Sequence, residues 1–258
     1  MDTNIKQFPT ETIDLPSMGY FYPTDNPLSS GKIEIRYMTA REEDILTSVN
    51  LVKKGLAIDM VLRSIIVSPI DYDSLLIGDK NAIMVASRIL AYGSAYDVDI
   101  TCPSCQNKTR ESIDLSSLQH KIIDFNDLQK GVNEFEFVLP SSKTPITFKF
   151  LTSGDEKTID GELKGLKKVG VGQTFELSTR YKHIITSVNR SRDIQTIVTF
   201  VDKNLLAGDS LALRKQLAKV QPDVDMSFEY LCKECDYSEK MSIPLTVEFF
   251  WPDAGGQK

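Results

Sequence analysis

Apolar and polar residues alternate from Gly31 to Thr39, with Ile33, Ile35 and Tyr37 on one side of the pattern and Lys32, Glu34 and Arg36 on the other. A period of two predicts a strand with one buried face. The same alternation returns from Thr144 to Thr152, where Ile146, Phe150, Leu151 and Thr152 take the places of Ile33, Tyr37, Met38 and Thr39. Each of these strands ends on a threonine followed by an acidic stretch, the signature of a helix start. Behind the first, AREEDILTSVNLVKKG and IDMVLRSIIV carry apolar residues at helical spacing. Ile45, Leu46 and Val49 form one face, Val61, Leu62, Ile65 and Ile66 another, and Ser68-Pro69 ends the second helix. Behind the second strand, DEKTIDGELKGLKK predicts a charged amphipathic helix, and TFELSTRYKHIITSVN and IQTIVTFVDKNLL predict more apolar ones. The segment GVNEFEFVLPSSKTPITFKFLT reads as two strands joined by a proline-containing turn.

The pattern occurs twice. Gly78-Asp79 opens a helical stretch, NAIMVASRILAYGSAY, followed by the strand DVDIT, a Cys-x-x-Cys and the strand KTRESIDL. Gly208-Asp209 opens SLALRKQLAKV, followed by DVDMSFEYL, a second Cys-x-x-Cys and SEKMSIPLTV. The step from glycine to first cysteine is 24 residues in both copies. Leu-Pro-Ser precedes the first strand of each, at Leu15-Pro16-Ser17 and Leu139-Pro140-Ser141. Such ordered recurrence predicts an internal duplication. Asp79 and Asp209 are each expected to cap a helix N-terminus. The expected organisation is an extended N-terminal segment over 1–30, a first half over 31–125, a second half over 132–250 and a flexible tail over 251–258.

The four cysteines of the chain are Cys102, Cys105, Cys232 and Cys235. Two such pairs supply the four thiolates of a closed tetrahedral Zn²⁺ site, which leaves no position open for water or substrate, so the metal is expected to be structural. A redox Cys-x-x-Cys sits where a strand meets a helix, whereas both flanks here read as strands. The expected fold is therefore α+β, two similar half-domains of strand, helices and strand–CxxC–strand joined through a four-cysteine, zinc-ribbon-like site.

The chain has 258 residues and a net charge of −6. Nucleic-acid binding wants a basic face, and the cysteine flanks are mixed: Lys108, Arg110 and Lys233 against Asp97, Asp99, Glu111, Glu234 and Asp236. The first residues lack the basic start and apolar run of a signal peptide. There is also no apolar run of the ~20 residues that span a bilayer, and paired thiols fit a reducing cytoplasm. His120 and His183 have no acid or nucleophile pattern around them, and VGVGQ at Val169 lacks the context of a nucleotide loop. No enzyme is expected. Aromatic residues gather near the ends, at Tyr20, Phe21 and Tyr22 among prolines and at Trp251, where they either cap the chain's own core or anchor a partner. They are taken as candidate partner contacts.

LPSMGYFYP, GKIEIRYMTAREEDILTS, GDKNAI with a downstream RILAYG and Tyr96, and CPSC together resemble the baseplate hub family of T-even-like tailed bacteriophages. Members of that family are described as baseplate hub subunits or hub assembly chaperones. The likeness is densest over 15–120 and runs more loosely through the second cysteine pair to FFWP. The resemblance implies a non-enzymatic part in building or forming the hub of a contractile tail, with other hub or tail proteins as partners. It implies work in the host cytoplasm during assembly or in the virion baseplate, compatible with a homo-oligomer. Two other readings stay open on the residues alone: a zinc-ribbon nucleic-acid-binding protein, and a CxxC thiol oxidoreductase.

Overall fold

Ile33 and Ile35 are buried in β2 (Lys32–Arg36), which pairs antiparallel with β1 (Thr10–Asp14) so that Ile13 lies opposite Ile33. This computed structural model describes residues 8–126, 128–168, 175–243 and 247–250. After β2 come α1 (Ala40–Thr47), α2 (Val49–Lys54) and α3 (Ala57–Ile65). The expected single helix behind Thr39 is broken at Ser48, whose extended ψ of 103° turns the chain before α2. Next are α4 (Ile77–Tyr92) and the hairpin β3 (Ala95–Thr101) and β4 (Lys108–Asp114).

The second run begins with β5 (Phe135–Val138) and β6 (Pro145–Phe148), followed by α5 (Ser153–Lys168) and α6 (Glu176–Ile184). It continues through β7 (Ile185–Val188), α7 (Ile194–Lys203) and α8 (Ala207–Val220) to the hairpin β8 (Ser227–Leu231) and β9 (Ser238–Ser242), and α9 (Val247–Phe250). β7 departs from the sequence reading, which took TFELSTRYKHIITSVN as helical throughout. The β-branched run Ile184, Ile185, Thr186 and Val188 suits a pleated surface better than a helix. It pairs with β6, where the Thr147 hydroxyl meets those of Thr186 at 2.6 Å and Ser187 at 2.7 Å.

Several contacts recur in both runs. The Thr39 N–H donates to Glu42 Oε2 at 2.8 Å, and the Thr152 N–H donates to Asp155 Oδ2 at 3.0 Å. Arg36 holds Glu42 at 2.7 Å, and Lys149 holds Asp155 at 2.8 Å. Ile35 bridges Ile66 after α3, and Phe148 pairs with Ile185 after α6. Asp79 and Asp209 also act alike, but not as caps. Each is the third residue of its helix, and its carboxylate turns to the Leu-Pro-Ser segment instead. Asp79 accepts from the Ser17 N–H at 2.9 Å and hydroxyl at 2.7 Å, and from Tyr22 Oη at 2.6 Å. Asp209 accepts from the N–H groups of Ser141 at 2.7 Å and Ser142 at 3.0 Å. The dipeptide thus ties a hairpin to a helix.

One hydrophobic core runs through both stretches, from Leu15, Phe21 and Ile33 to Phe148, Phe150, Leu213 and Phe249. Phe21 is its hinge: its ring lies edge-on to Phe135 at 5.5 Å and Phe150 at 5.0 Å. Phe21 and Tyr22 are buried, and the Tyr20 hydroxyl donates to the Leu128 carbonyl at 2.7 Å. The expectation that Phe21 and Tyr22 meet a partner is corrected accordingly. They are core side chains, because the turn-rich segment folds back under its own hairpin; Tyr20 is half-buried beside them. Trp251, the 251–258 tail and VGVGQ lie outside the described residues. The C-terminal α9 closes against the first run, with Phe249 5.2 Å from Tyr96 and the buried Arg88 donating from Nε to the Phe249 carbonyl at 2.9 Å.

Glu42 is fully buried, yet its carboxyl is held down to about 2. Burial works against ionisation but is outweighed by the Arg36 guanidinium, the Thr39 hydroxyl and N–H, and the Ser64 hydroxyl. A folded-state value below the unfolded one gives stability that is full above the unfolded value near 4.5 and fades as pH falls toward 2. The size is up to about 3 kcal/mol. Glu42→Gln should therefore lower urea-unfolding stability by about 2–3 kcal/mol at pH 7, with the gap closing by pH 2–2.5. A gap independent of pH would refute this account.

Candidate metal centre

The two hairpins bring the cysteine pairs together. Cys102 follows β3, and its N–H donates to the Asn107 carbonyl at 2.8 Å while the Gln106 N–H returns to the Cys102 carbonyl at 2.9 Å. Cys232 follows β8 and makes the same turn, with its N–H on Tyr237 at 2.8 Å and the Asp236 N–H on Cys232 at 3.0 Å. Gln106 and Asp236 take left-handed φ values of 61° and 55°, which tightens each loop until its two sulfurs face one way. Both loops join strand to strand, not strand to helix, so neither has the helix-start geometry that activates a redox cysteine.

All four sulfurs lie within 4.8 Å of one another. Across the hairpins, Cys102 and Cys235 are 3.8 Å apart and Cys105 and Cys232 are 3.7 Å apart. A tetrahedron with metal–sulfur bonds of about 2.3 Å has edges of about 3.8 Å. The donor set fits one tetrahedral metal ion. All four thiols are free, Cys102 and Cys232 buried, Cys105 and Cys235 exposed. Beneath them, Ile100, Cys102, Tyr230 and Cys232 form an apolar cluster of their own, joined by Val98, Phe228, Tyr237 and Met241.

The surroundings favour thiolates unevenly. The backbone N–H of Glu234 holds Cys232 down to about 6 against burial, helped by the Cys235 N–H, the Tyr230 hydroxyl and Cys102. At Cys105 the Asn107 N–H lowers the thiol, but burial and the sulfurs of Cys235, Cys102 and Cys232 push it up to about 12. Crowded thiols that cannot all ionise alone are what a dication resolves. Two further contacts cross between hairpins: Thr109 Oγ1 to Tyr230 Oη at 3.3 Å, and Lys233 to Glu111 at 3.7 Å. Sequence reading passed over Tyr230, since a tyrosine in a strand needs no special cause.

Elsewhere, His183 Nε2 lies 3.1 Å from Glu162, and His120 is exposed and bridges Val224 through its backbone. Neither histidine joins the cysteine cluster. No helix among the described residues is long and apolar enough to cross a membrane.

A mixed α+β core thus presents a four-thiol cluster on two β-hairpins. The chain belongs to the T4 bacteriophage base plate protein family, which it matches over residues 20–251. No curated protein and no solved structure matches it. Membership supports a structural or assembly role among phage tail proteins.

Proposed function

We propose that this chain is a non-enzymatic component of the baseplate hub, acting by protein–protein binding as a hub subunit or as a hub assembly chaperone. The family match over 20–251 carries the reading. In it, Cys102, Cys105, Cys232 and Cys235 hold one structural Zn²⁺ that joins two related halves, 31–125 and 132–250. The recurring contacts at Thr39 and Thr152, Asp79 and Asp209, and the two knuckles support the duplication. The partners are other hub or tail proteins, met in the host cytoplasm during assembly, and Trp251 keeps its role as a partner contact.

The test is to tag the chain in infected cells and fractionate hub intermediates from finished particles. Cross-links to hub or tail proteins in the intermediates are expected. Persistence in purified virions makes it a subunit, and loss on completion makes it a chaperone. Migration apart from every baseplate intermediate would overturn the proposal.

A further inference from the structure

The stretches that open α4 and α8 read alike, Leu75-Leu76-Ile77-Gly78-Asp79 and Leu205-Leu206-Ala207-Gly208-Asp209. Their backbones agree: Leu76 takes φ −64° and ψ 145°, Leu206 φ −67° and ψ 148°. Their surroundings do not. Leu76 is buried, and residues 75–77 lie antiparallel on 151–153 of the second run. The Ile77 N–H donates to the Leu151 carbonyl at 3.2 Å, and the Ser153 N–H donates to the Leu75 carbonyl at 2.8 Å. Across this seam Lys157 of α5 faces Asp73 at 3.9 Å. Leu206, by contrast, is 50% exposed. In the first run Met38-Thr39-Ala40 takes the place of Leu151-Thr152-Ser153, and Ala40 is exposed where Ser153 is buried. Among the described residues, the N–H groups of Ala207 and Ala40 and the carbonyls of Leu205 and Met38 make no hydrogen bond. The charges correspond as well. Lys203 stands in the place of Asp73 and Asp44 in that of Lys157, both exposed and without an ion pair among the described residues.

We propose that residues 205–207 of one copy seat on residues 38–40 of a second copy, repeating between chains the seam that joins the two runs within one. The Ala207 N–H then meets the Met38 carbonyl, the Ala40 N–H meets the Leu205 carbonyl, and Lys203 faces Asp44. Leu206 is covered. Arg41 stands where Gly154 lets the Asp73 backbone come close, so the seam between copies is wider than the internal one. Each chain carries one side of the contact at either place, which makes it heterologous. Copies therefore add head to tail until a ring closes or a filament grows. The inference goes beyond the proposed function and rests on the duplication within it.

The experiment is sedimentation of the full chain over a range of concentrations. Ala207 and Ala40 are each the first residue of a helix behind an extended residue, where proline fits and only the N–H is lost. Ala207→Pro and Ala40→Pro should keep the thermal midpoint, and each should weaken self-association about 5–10-fold. Leu206→Asp should abolish it, since the contact would bury an unpaired charge. Asp44→Lys should weaken it, and adding Lys203→Asp to the same chain should restore it. Proline variants that associate like the wild type, or a reversed charge pair without rescue, overturn the inference. So does a chain that is monomeric at about 1 mM, and if that chain still enters hub intermediates the hub reading stands without it.

Discussion

If Cys102, Cys105, Cys232 and Cys235 hold the proposed zinc, chelating it should melt the cysteine ends of the two hairpins and leave the helical core standing. Structural zinc in small peptides is worth on the order of 10–16 kcal/mol near neutral pH, enough to unfold many domains outright. Here the sulfurs sit in a small cluster with Ile100 and Tyr230, while the large core from Leu15 to Phe249 packs without them. The loss is therefore local. Isolated two-stranded hairpins are marginal in water, and β3–β4 and β8–β9 each pair only within themselves among the described residues. With the metal gone, or with Cys232→Ser, amide protection at the cysteine ends of those four strands should fall at least about a thousandfold, or about 4 kcal/mol of local stability, while Tyr96 and Ile113 stay buried in the main core. Protection in β2, β6 and the middle of α4 should hold. Hydrogen exchange with and without chelator reads both regions in one experiment. A single transition that takes β2 and α4 with the hairpins would show that the core leans on the metal after all.

The division between a cysteine cluster and the main core, which meet at Val98 and Phe228, is the part that sequence could not show. Spacing alone announced the four cysteines, because paired thiols two residues apart have few other uses. Alternation announced β2 and β6, since Ile33, Ile35, Ile146 and Phe148 put all their apolar surface on one face. β7 escaped because four residues are too few to separate a strand from the end of a helix. Phe21 and Tyr22 looked like surface anchors for a related reason. Prolines and glycines around them forecast turns, but not that the turns return beneath the hairpin to meet Phe135 and Phe150. Asp79 shows the same limit: an acid near a helix start is favourable for the dipole alone, so the pattern gave no sign that Ser17 and Tyr22 were its partners.

Gly78 and Gly208 each stand second in their helices, α4 and α8, yet substituting them should have very different results. A Cβ on Gly78 would lie 1.8 Å from the Pro222 carbonyl oxygen and 2.7 Å from its carbon. That backbone cannot retreat easily. Asn81 holds the Asp223 carboxylate at 2.9 Å, the Lys121 N–H donates to the Asp223 carbonyl at 2.9 Å, and the Asp225 N–H donates to Gln119 at 2.8 Å. Pro222–Asp225 is thus pinned between α4 and the segment 119–121 beyond β4. On Gly208 the nearest atom is Ser141 Oγ at 3.1 Å, the tip of a side chain that can turn away. Gly78→Ala should cost about 3–5 kcal/mol, as overpacking outweighs the roughly 1 kcal/mol by which alanine favours a helix. Gly208→Ala should fall within about 1 kcal/mol of the wild type, with the helix gain offsetting the tight contact. Thermal unfolding of the two variants side by side decides it, at about 2–4 °C per kcal/mol for a chain of this size. Equal shifts would mean that the approach of α4 to Pro222 is looser than its geometry, and that the two helix starts are alike in packing as well as in sequence.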